Sequence, residues 1–203
     1  MRSTEPLVGT AVLASLALLA GCASGNNPAA SDQPHIPRIV SEGSRAQEYT
    51  SITQLADKAS AIILGKPVGE QFVRPMPSRR AAPGVAGTPY VRIQVIKVLS
   101  GKVSGKTIDV VSPGTDEVTG KAATAQGGPY VMFLAPAMYQ KNSPAGGYAI
   151  VGGPAGLYAT LDSSSTSFTK VDRESPSLPK QLSTTRDIPI ITKSEGQLLA
   201  EGP

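Results

Sequence analysis

Glycine and proline interrupt this chain so often that its ordered part must consist of short segments. The chain has 21 glycines and 18 prolines among its 203 residues, while aromatic residues make up only 4%. Frequent turns and few bulky rings favour short strands around a modest core over a helical bundle. Apolar runs at this spacing, separated by Gly and Pro turns, predict an all-β sandwich or barrel.

The clearest predicted strand covers residues 90–99. Val91, Ile93 and Val95 alternate with polar residues, which is the period of a half-buried strand. The alternation then slips, and this predicts a β-bulge near Val95–Ile96. Bulges of this kind bend a long strand, as closure of a barrel requires.

The remaining elements are read from apolar runs and caps. Ser51, with Gln54 three residues later, predicts a short capped helix whose apolar face begins at Ile52. The continuous apolar run at residues 130–134 predicts a central strand. Further strands are predicted at residues 61–68, 107–112, 148–151, 157–161 and 167–171.

An apolar run from Leu7 to Ala20 ends next to Cys22, the only cysteine in the chain. The run has about fourteen residues, whereas a membrane-spanning helix needs roughly twenty, so it suits the apolar region of a signal peptide. Leu19-Ala20-Gly21-Cys22 has the form of a bacterial lipobox, in which the cysteine sulfur takes a diacylglycerol and the preceding peptide bond is cut. We therefore expect a protein that is lipid-anchored through Cys22 on the extracytoplasmic face of a cell membrane.

The predicted organisation has four parts. Residues 1–21 form the lipoprotein signal peptide, 22–48 a flexible tether, 49–182 the β-barrel domain, and 183–203 a tail that is partly ordered at most. The tether contains prolines and small polar residues without a sustained apolar period. As a flexible coil it would span roughly 25–30 Å and lift the barrel from the bilayer.

The order of these segments and their sequence motifs resemble those of a known group of proteins. The motifs are A-x-A-I-I-L-G, V-x-I-x-V-I-K-V-L-S-G, I-x-V-V-S-P-G, G-G-P-Y-V-M-F-L and Y-A-I-V-G-G-P-A-G-L-Y, between Ala56 and Leu161. They resemble small uncharacterised bacterial exported proteins and lipoproteins that are similar to netrin/TIMP-like OB-fold domains. Ser100 departs from the pattern, since such proteins usually show Lys or another residue before the turn glycine. The resemblance implies a single small OB-like barrel with a short N-terminal helix, and it implies no catalytic residue.

Patterns for catalysis and metal binding are weak throughout the sequence. The one histidine, His35, falls in the predicted tether, where a mobile base cannot be held near a nucleophile, so we expect it to be solvated. One histidine and one cysteine predict no zinc site, and we expect no cofactor. The acid pair Asp116-Glu117 falls in a predicted loop without a calcium-binding frame and is expected to be solvated. Residues 101–107 resemble a phosphate-binding loop, but a strand follows them where such a loop requires a helix.

A long loop is predicted from Gln71 to Pro89, with Arg74, Arg79 and Arg80 and no acid. Long loops in compact domains tend to be functional or disordered. The loop is therefore either a solvated insertion or an electrostatic contact with anionic envelope polymer, lipid headgroups or an envelope protein. The net charge of +4 is a mild basic excess, and we predict no nucleic-acid partner.

Together these features predict a membrane-anchored cell-envelope lipoprotein whose barrel is a non-enzymatic binding or structural module. Two alternatives stay open. An envelope hydrolase would need two carboxyl groups that face each other at about 5–10 Å. A protease-inhibitor-like module would resemble the animal TIMPs, whose free N-terminal cysteine reaches a metal, whereas Cys22 is expected to be acylated.

Overall fold

The computed structural model describes residues 35–40, 47–75 and 87–202. This part of the chain is mostly β, with few helices, as predicted. The two α-helices are α1 (Ile52–Asp57) and α2 (Glu195–Glu201). The strands in chain order are β1 (Ile39–Val40), β2 (Ala61–Pro67), β3 (Phe72–Arg74), β4 (Thr88–Gly101), β5 (Thr107–Val111), β6 (Thr115–Asp116), β7 (Tyr130–Gln140), β8 (Ser143–Ile150), β9 (Leu157–Ala159), β10 (Ser167–Lys170) and β11 (Gln181–Ser183).

Five of these strands close into a barrel. β2 pairs with β4, β4 with β5, β8 with β7, and β7 again with β2, all antiparallel. The ring is completed by β5 and β8, which run parallel with Val110 opposite Tyr148. This closed five-stranded barrel confirms the predicted fold class and is compatible with an OB-like fold.

The barrel has an apolar interior and a second apolar layer outside it. Successive strand residues point to opposite faces, so Ile63 and Met132 lie inside the barrel while Ile62 and Phe133 point outward. The outward residues of β2 and β7 are covered by α1 and by the strands β9 to β11. Since both faces of β2 and β7 are buried, their sequences read as continuous apolar runs, which explains the predicted central strand at 130–134.

The bulge predicted near Val95–Ile96 is confirmed. Along β2 and β4 the pairing steps from Leu64 opposite Lys97 to Gly65 opposite Val95, which leaves Ile96 as an extra residue on β4. A second step leaves Leu99 as another extra residue. These two irregularities bend the longest strand around the barrel.

The predicted N-terminal helix is present as α1. The Ser51 hydroxyl accepts from the Gln54 backbone N–H at 3.2 Å, as a helix cap should. The Gln54 side chain reaches one residue further back than the sequence predicts, because its carbonyl accepts from the Thr50 N–H at 2.9 Å.

Part of the predicted tether packs against the barrel. β1 pairs with β6, with Ile39 opposite Asp116, and Ile36 and Ile39 contact the barrel core. The expectation of a flexible coil is therefore wrong for residues 35–40. The apolar side chains of this short stretch are too few to show a period in the sequence, yet they meet a matching apolar surface in the fold.

The segment after residue 183 is described through residue 202. Its helix α2 begins with a capping box at Ser194 and buries Leu198 against the barrel. The Asn142 N–H donates to the Leu199 carbonyl at 3.0 Å, and the Ile191 N–H donates to the Ser100 hydroxyl at 2.8 Å. These contacts fasten the C-terminal segment to β4 and to the β7–β8 turn.

The predicted signal peptide lies outside the described residues. Of the helices within the part of the chain that the structure describes, none has the length and apolar character needed to cross a membrane.

Candidate functional site

The candidate site is a group of cationic and aromatic side chains on the outer surface of the barrel, which we call the arginine–aromatic face. It consists of Phe72 and Arg74 from β3, Tyr90 and Arg92 from β4, and Asp109 from β5. Val91 and Ile93 point into the barrel core, so Tyr90 and Arg92, on the alternate positions, point outward.

Strand pairing brings these five side chains together. Phe72 is the pairing partner of Tyr90, and Asp109 is the pairing partner of Arg92. The sequence predicted a loop across residues 71–89, but residues 72–74 form a strand. The reason is that Phe72 stacks on Tyr90, with ring centroids 5.9 Å apart. This contact stabilises the pairing of residues 72–74 with β4.

Arg74 is the most heavily engaged residue of the face. Its guanidinium pairs with the Asp109 carboxylate at 2.5 Å and lies 4.3 Å from the centroid of the Tyr90 ring. A cation over an aromatic face at this distance contributes about 0.5–1 kcal/mol at an exposed site and about 2 kcal/mol when desolvated. The side chain is 29% exposed, so Arg74 presents only part of its guanidinium to solvent.

Arg92 is the more accessible cation. Its Nε donates to the second oxygen of Asp109 at 3.3 Å, and its guanidinium lies 5.6 Å from the Phe72 ring centroid. The side chain is 56% exposed. One carboxylate is thus shared between two guanidiniums, so the face keeps an excess positive charge.

Tyr90 forms the buried floor of the face. Its hydroxyl donates to the Gly146 carbonyl at 3.0 Å, which ties the face to β8. Burial raises the pKa of the Tyr90 hydroxyl, and the nearby Arg74 offsets part of that rise. The phenol is therefore neutral at physiological pH and serves as a platform and a donor. A β-carbon at Gly146 would lie 3.0 Å from an Arg74 nitrogen, so the glycine leaves room for the guanidinium.

This arrangement suits binding better than proton transfer. Guanidiniums hold their protons at all physiological pH values, and they recognise carboxylate and phosphate oxygens through fixed pairs of donors. The Asp109 carboxylate is already paired with two guanidiniums. The face can therefore hold an anionic group over aromatic rings.

The structure describes one of the four residues that the sequence predicted as site residues. Arg74 lies at the end of β3. The predicted loop contains no acid, but the fold brings Asp109, 35 positions away, into contact with Arg74. Cys22, Arg79 and Arg80 lie outside the described residues, and their predicted roles stay predictions.

Sequence reasoning missed Phe72, Tyr90, Arg92 and Asp109 as members of one site. Tyr90 and Arg92 were visible as the outward positions of the alternating strand. Asp109 falls on the predicted partner strand, but the register that places it beside Arg92 depends on the turn geometry.

A second polar cluster, around Asp116, corrects two expectations. The Asp116 side chain is only 1% exposed, although a solvated loop pair was predicted. It accepts from the Arg38 N–H at 2.9 Å and the Thr119 hydroxyl at 2.7 Å, and it lies 2.8 Å from the His35 ring nitrogen Nε2. His35 was expected to be solvated in a mobile tether, and the structure instead places it on the barrel with a buried partner.

The hydrogen bonds of Asp116 decide its charge state. Burial alone would raise the pKa of this carboxyl, but the bonds from Thr119, Arg38 and His35 outweigh burial and lower its pKa. The carboxylate therefore stays charged at neutral pH and joins the N-terminal segment to the barrel. Its bonds connect residues 35–38 with Thr119, so we assign Asp116 a structural role.

Among the described residues, no group of three or more His, Cys, Asp or Glu side chains is arranged to hold a metal ion.

No protein-family model matches this chain, and searches of curated proteins and of solved structures likewise find no match. The fold and the face thus define a mostly β protein with a closed barrel and a cationic, aromatic outer surface.

Proposed function

We propose that this chain is a membrane-anchored cell-envelope lipoprotein whose barrel is a non-enzymatic binding module for an anionic envelope partner. The anchor is the lipid on Cys22, and the binding surface is the arginine–aromatic face together with Arg79 and Arg80, which the sequence places in the same predicted loop as Arg74. The partner is anionic polymer, lipid headgroups or an acidic envelope protein.

The observation that carries the proposal is the cluster of two guanidiniums over two aromatic rings on the outer barrel surface. Arg74 lies between Tyr90 and Asp109, and Arg92 lies beside Phe72 with its side chain 56% exposed. A site for neutral ligands would not require two arginines. A purely structural ion pair would require only one arginine for the single carboxylate of Asp109.

The position of the face within the barrel also supports binding. β4 and β5 are the second and third strands of the five-stranded ring, and β3 belongs to the connection between its first and second strands. OB-folds bind oligonucleotides and oligosaccharides on the face of strands two and three and with the loop between strands one and two. The resemblance to netrin/TIMP-like exported proteins points to the same kind of barrel.

The test uses the mature chain from Ala23 onward, without its lipid, and the variant in which Arg74, Arg79 and Arg80 are changed to Gln. Each basic group near an anionic surface contributes about 1 kcal/mol, so the variant should bind anionic vesicles or isolated wall polymer roughly a hundredfold more weakly at low salt. Binding is measured by co-sedimentation. The loss should shrink as salt rises, because exposed charges are screened beyond about 8 Å at physiological ionic strength.

A matched control changes Arg38, Arg173 and Arg186 to Gln. These three side chains are exposed elsewhere on the described surface, and the control lowers the net charge by the same three units. The proposal requires that the control retain nearly all of the binding. Equal losses in both variants would mean that total charge, and not this face, drives association.

A further inference from the structure

A separate cleft lies at the far end of β4, between the turn that leads into β5 and the segment that begins α2. Its volume is about 430 Å³, within the range of small-molecule pockets. One wall is formed by Gly101, Lys102 and Ser104, the other by residues 191–196, and the buried Ser60 lies between them. The first wall is the Gly-Lys turn that resembles a phosphate-binding loop in sequence, although β5 follows it.

The walls of this cleft are held in place by hydrogen bonds. The Lys102 N–H donates to the Ser60 carbonyl at 3.3 Å, and the Ile191 N–H donates to the Ser100 hydroxyl at 2.8 Å. Gly101 has a φ of +73°, and a β-carbon there would lie 2.1 Å from the Ser60 carbonyl oxygen. Only glycine permits this approach, so the cleft is a built feature of the fold.

The far wall is anchored through Glu195. The Tyr148 hydroxyl donates to a Glu195 oxygen at 2.5 Å, and burial together with this acceptor raises the pKa of Tyr148 to about 12. Lys193, also on this wall, donates to both carboxylate oxygens of Glu201 at 2.7 Å. Of the three charged side chains that line the cleft, Lys193 is therefore paired with the Glu201 carboxylate, and Glu195 is hydrogen-bonded to the Tyr148 hydroxyl.

The third charged side chain is Lys102. Within the described part of the chain its ammonium group forms neither an ion pair nor a hydrogen bond. The hydroxyls of Ser104 and Thr192 line the same cleft and likewise lack a partner among the described residues. All three side chains are exposed to solvent. An ammonium group offers three donors and no acceptor, and hydroxyls offer both, so together they can bind an anion that also carries hydroxyl groups.

We propose that this cleft binds a small polyol phosphate, with Lys102 as the counter-ion of the phosphate and the Ser104 and Thr192 hydroxyls as partners of the polyol. The site is distinct from the arginine–aromatic face. Arg92 and Gly101 are nine positions apart on β4, which is about 25–30 Å in extended chain.

The test titrates the mature chain with inorganic phosphate, glycerol 3-phosphate and glycerol, by calorimetry and by amide chemical shifts. We expect glycerol 3-phosphate to bind more tightly than phosphate and glycerol to bind weakest. Shifts should concentrate at residues 101–104 and 192–196. Lys102→Gln should weaken glycerol 3-phosphate binding at least tenfold, whereas Lys97→Gln, an exposed lysine of β4 outside the cleft, should leave it unchanged.

Three results would overturn this inference: equal weakening by both lysine variants, glycerol binding as tightly as glycerol 3-phosphate, or shifts that avoid the cleft. Lys102 is exposed, so its replacement leaves the core intact, and unchanged amide spectra of the free variant verify this. Arg92→Gln should not alter glycerol 3-phosphate binding, and Lys102→Gln should not alter vesicle binding beyond the Lys97→Gln control. The failure of one proposal is thereby distinguished from the failure of the other.

Discussion

Asp116 shows how one buried carboxylate can fix the path of the chain. It receives bonds from Arg38 and Thr119, contacts His35, and belongs to β6, which pairs with β1. The N-terminal segment therefore reaches the barrel through both a short sheet and a buried charge. The contact between His35 and Asp116 could not be predicted from local sequence, because it joins positions 81 residues apart.

Replacement of Asp116 by Asn should destabilise the protein by about 1–3 kcal/mol, because several buried donors lose a charged acceptor. The folded pKa of Asp116 is lowered below its ordinary value of 3.8. Its contribution to stability is thus complete above about pH 4 and is lost as pH falls through the folded pKa. Urea unfolding at neutral pH should show the full difference between wild type and variant, and unfolding in strong acid a smaller one.

The control for this prediction is Glu117→Gln, which changes an exposed neighbour by the same charge. It should shift the free energy of unfolding by less than about 0.5 kcal/mol. If Asp116→Asn is as mild as this control at neutral pH, the carboxylate does not hold the N-terminal segment. Hydrogen exchange at residues 38–40 gives an independent readout, since the variant should exchange faster there.

At the scale of elements, barrel closure depends on the parallel contact between β5 and β8. Gly147 has a φ of +72°, and a β-carbon there would lie 2.4 Å from the Asp109 carbonyl oxygen. The backbone of β8 can approach β5 this closely only because residue 147 has no side chain.

Gly147→Ala should therefore cost about 3 kcal/mol or more, as it combines backbone strain with a clash against a strand. Gly153→Ala is the matched control, because Gly153 has a φ of +58° but open space around its β-carbon position. That control should cost only the strain, about 1–2 kcal/mol. Thermal or urea unfolding measures both. Equal losses in the two variants would show that the approach of β8 to β5 is not what closes the barrel.

The elements also show what local sequence can predict. The strand at β4, its bulge and the helix α1 were predictable, because alternation and capping are visible within a few residues. The strand β3 was not, because it exists through the stacking of Phe72 on Tyr90 and the pairing of Arg74 with Asp109. The arginine–aromatic face could be predicted only in part for the same reason, as strand register decides which outward residues meet.

At the scale of the whole molecule, we propose that a lipid on Cys22 holds the barrel at a membrane surface. Cys22→Ala should move the protein from the membrane fraction to the soluble fraction and remove the mass of the acyl chains, because no lipid can be attached. Fractionation and intact-mass spectrometry measure the two effects. Cys22→Ser tests whether a residue of similar size rescues the anchor, and it should not. A wild-type protein without the acyl mass, together with unchanged membrane association in both variants, would disprove lipidation at this residue.

The proposed function requires that the arginine–aromatic face contact an anionic partner. The most direct measurement maps amide chemical shifts of the mature chain from Ala23 during titration with soluble anionic wall polymer. We expect shifts at low salt to concentrate at residues 72–74, 90–92 and 109 and to disappear near 1 M salt, where the screening length is about 3 Å. Shifts confined to other surfaces, or shifts at this face that persist unchanged in high salt, would contradict it.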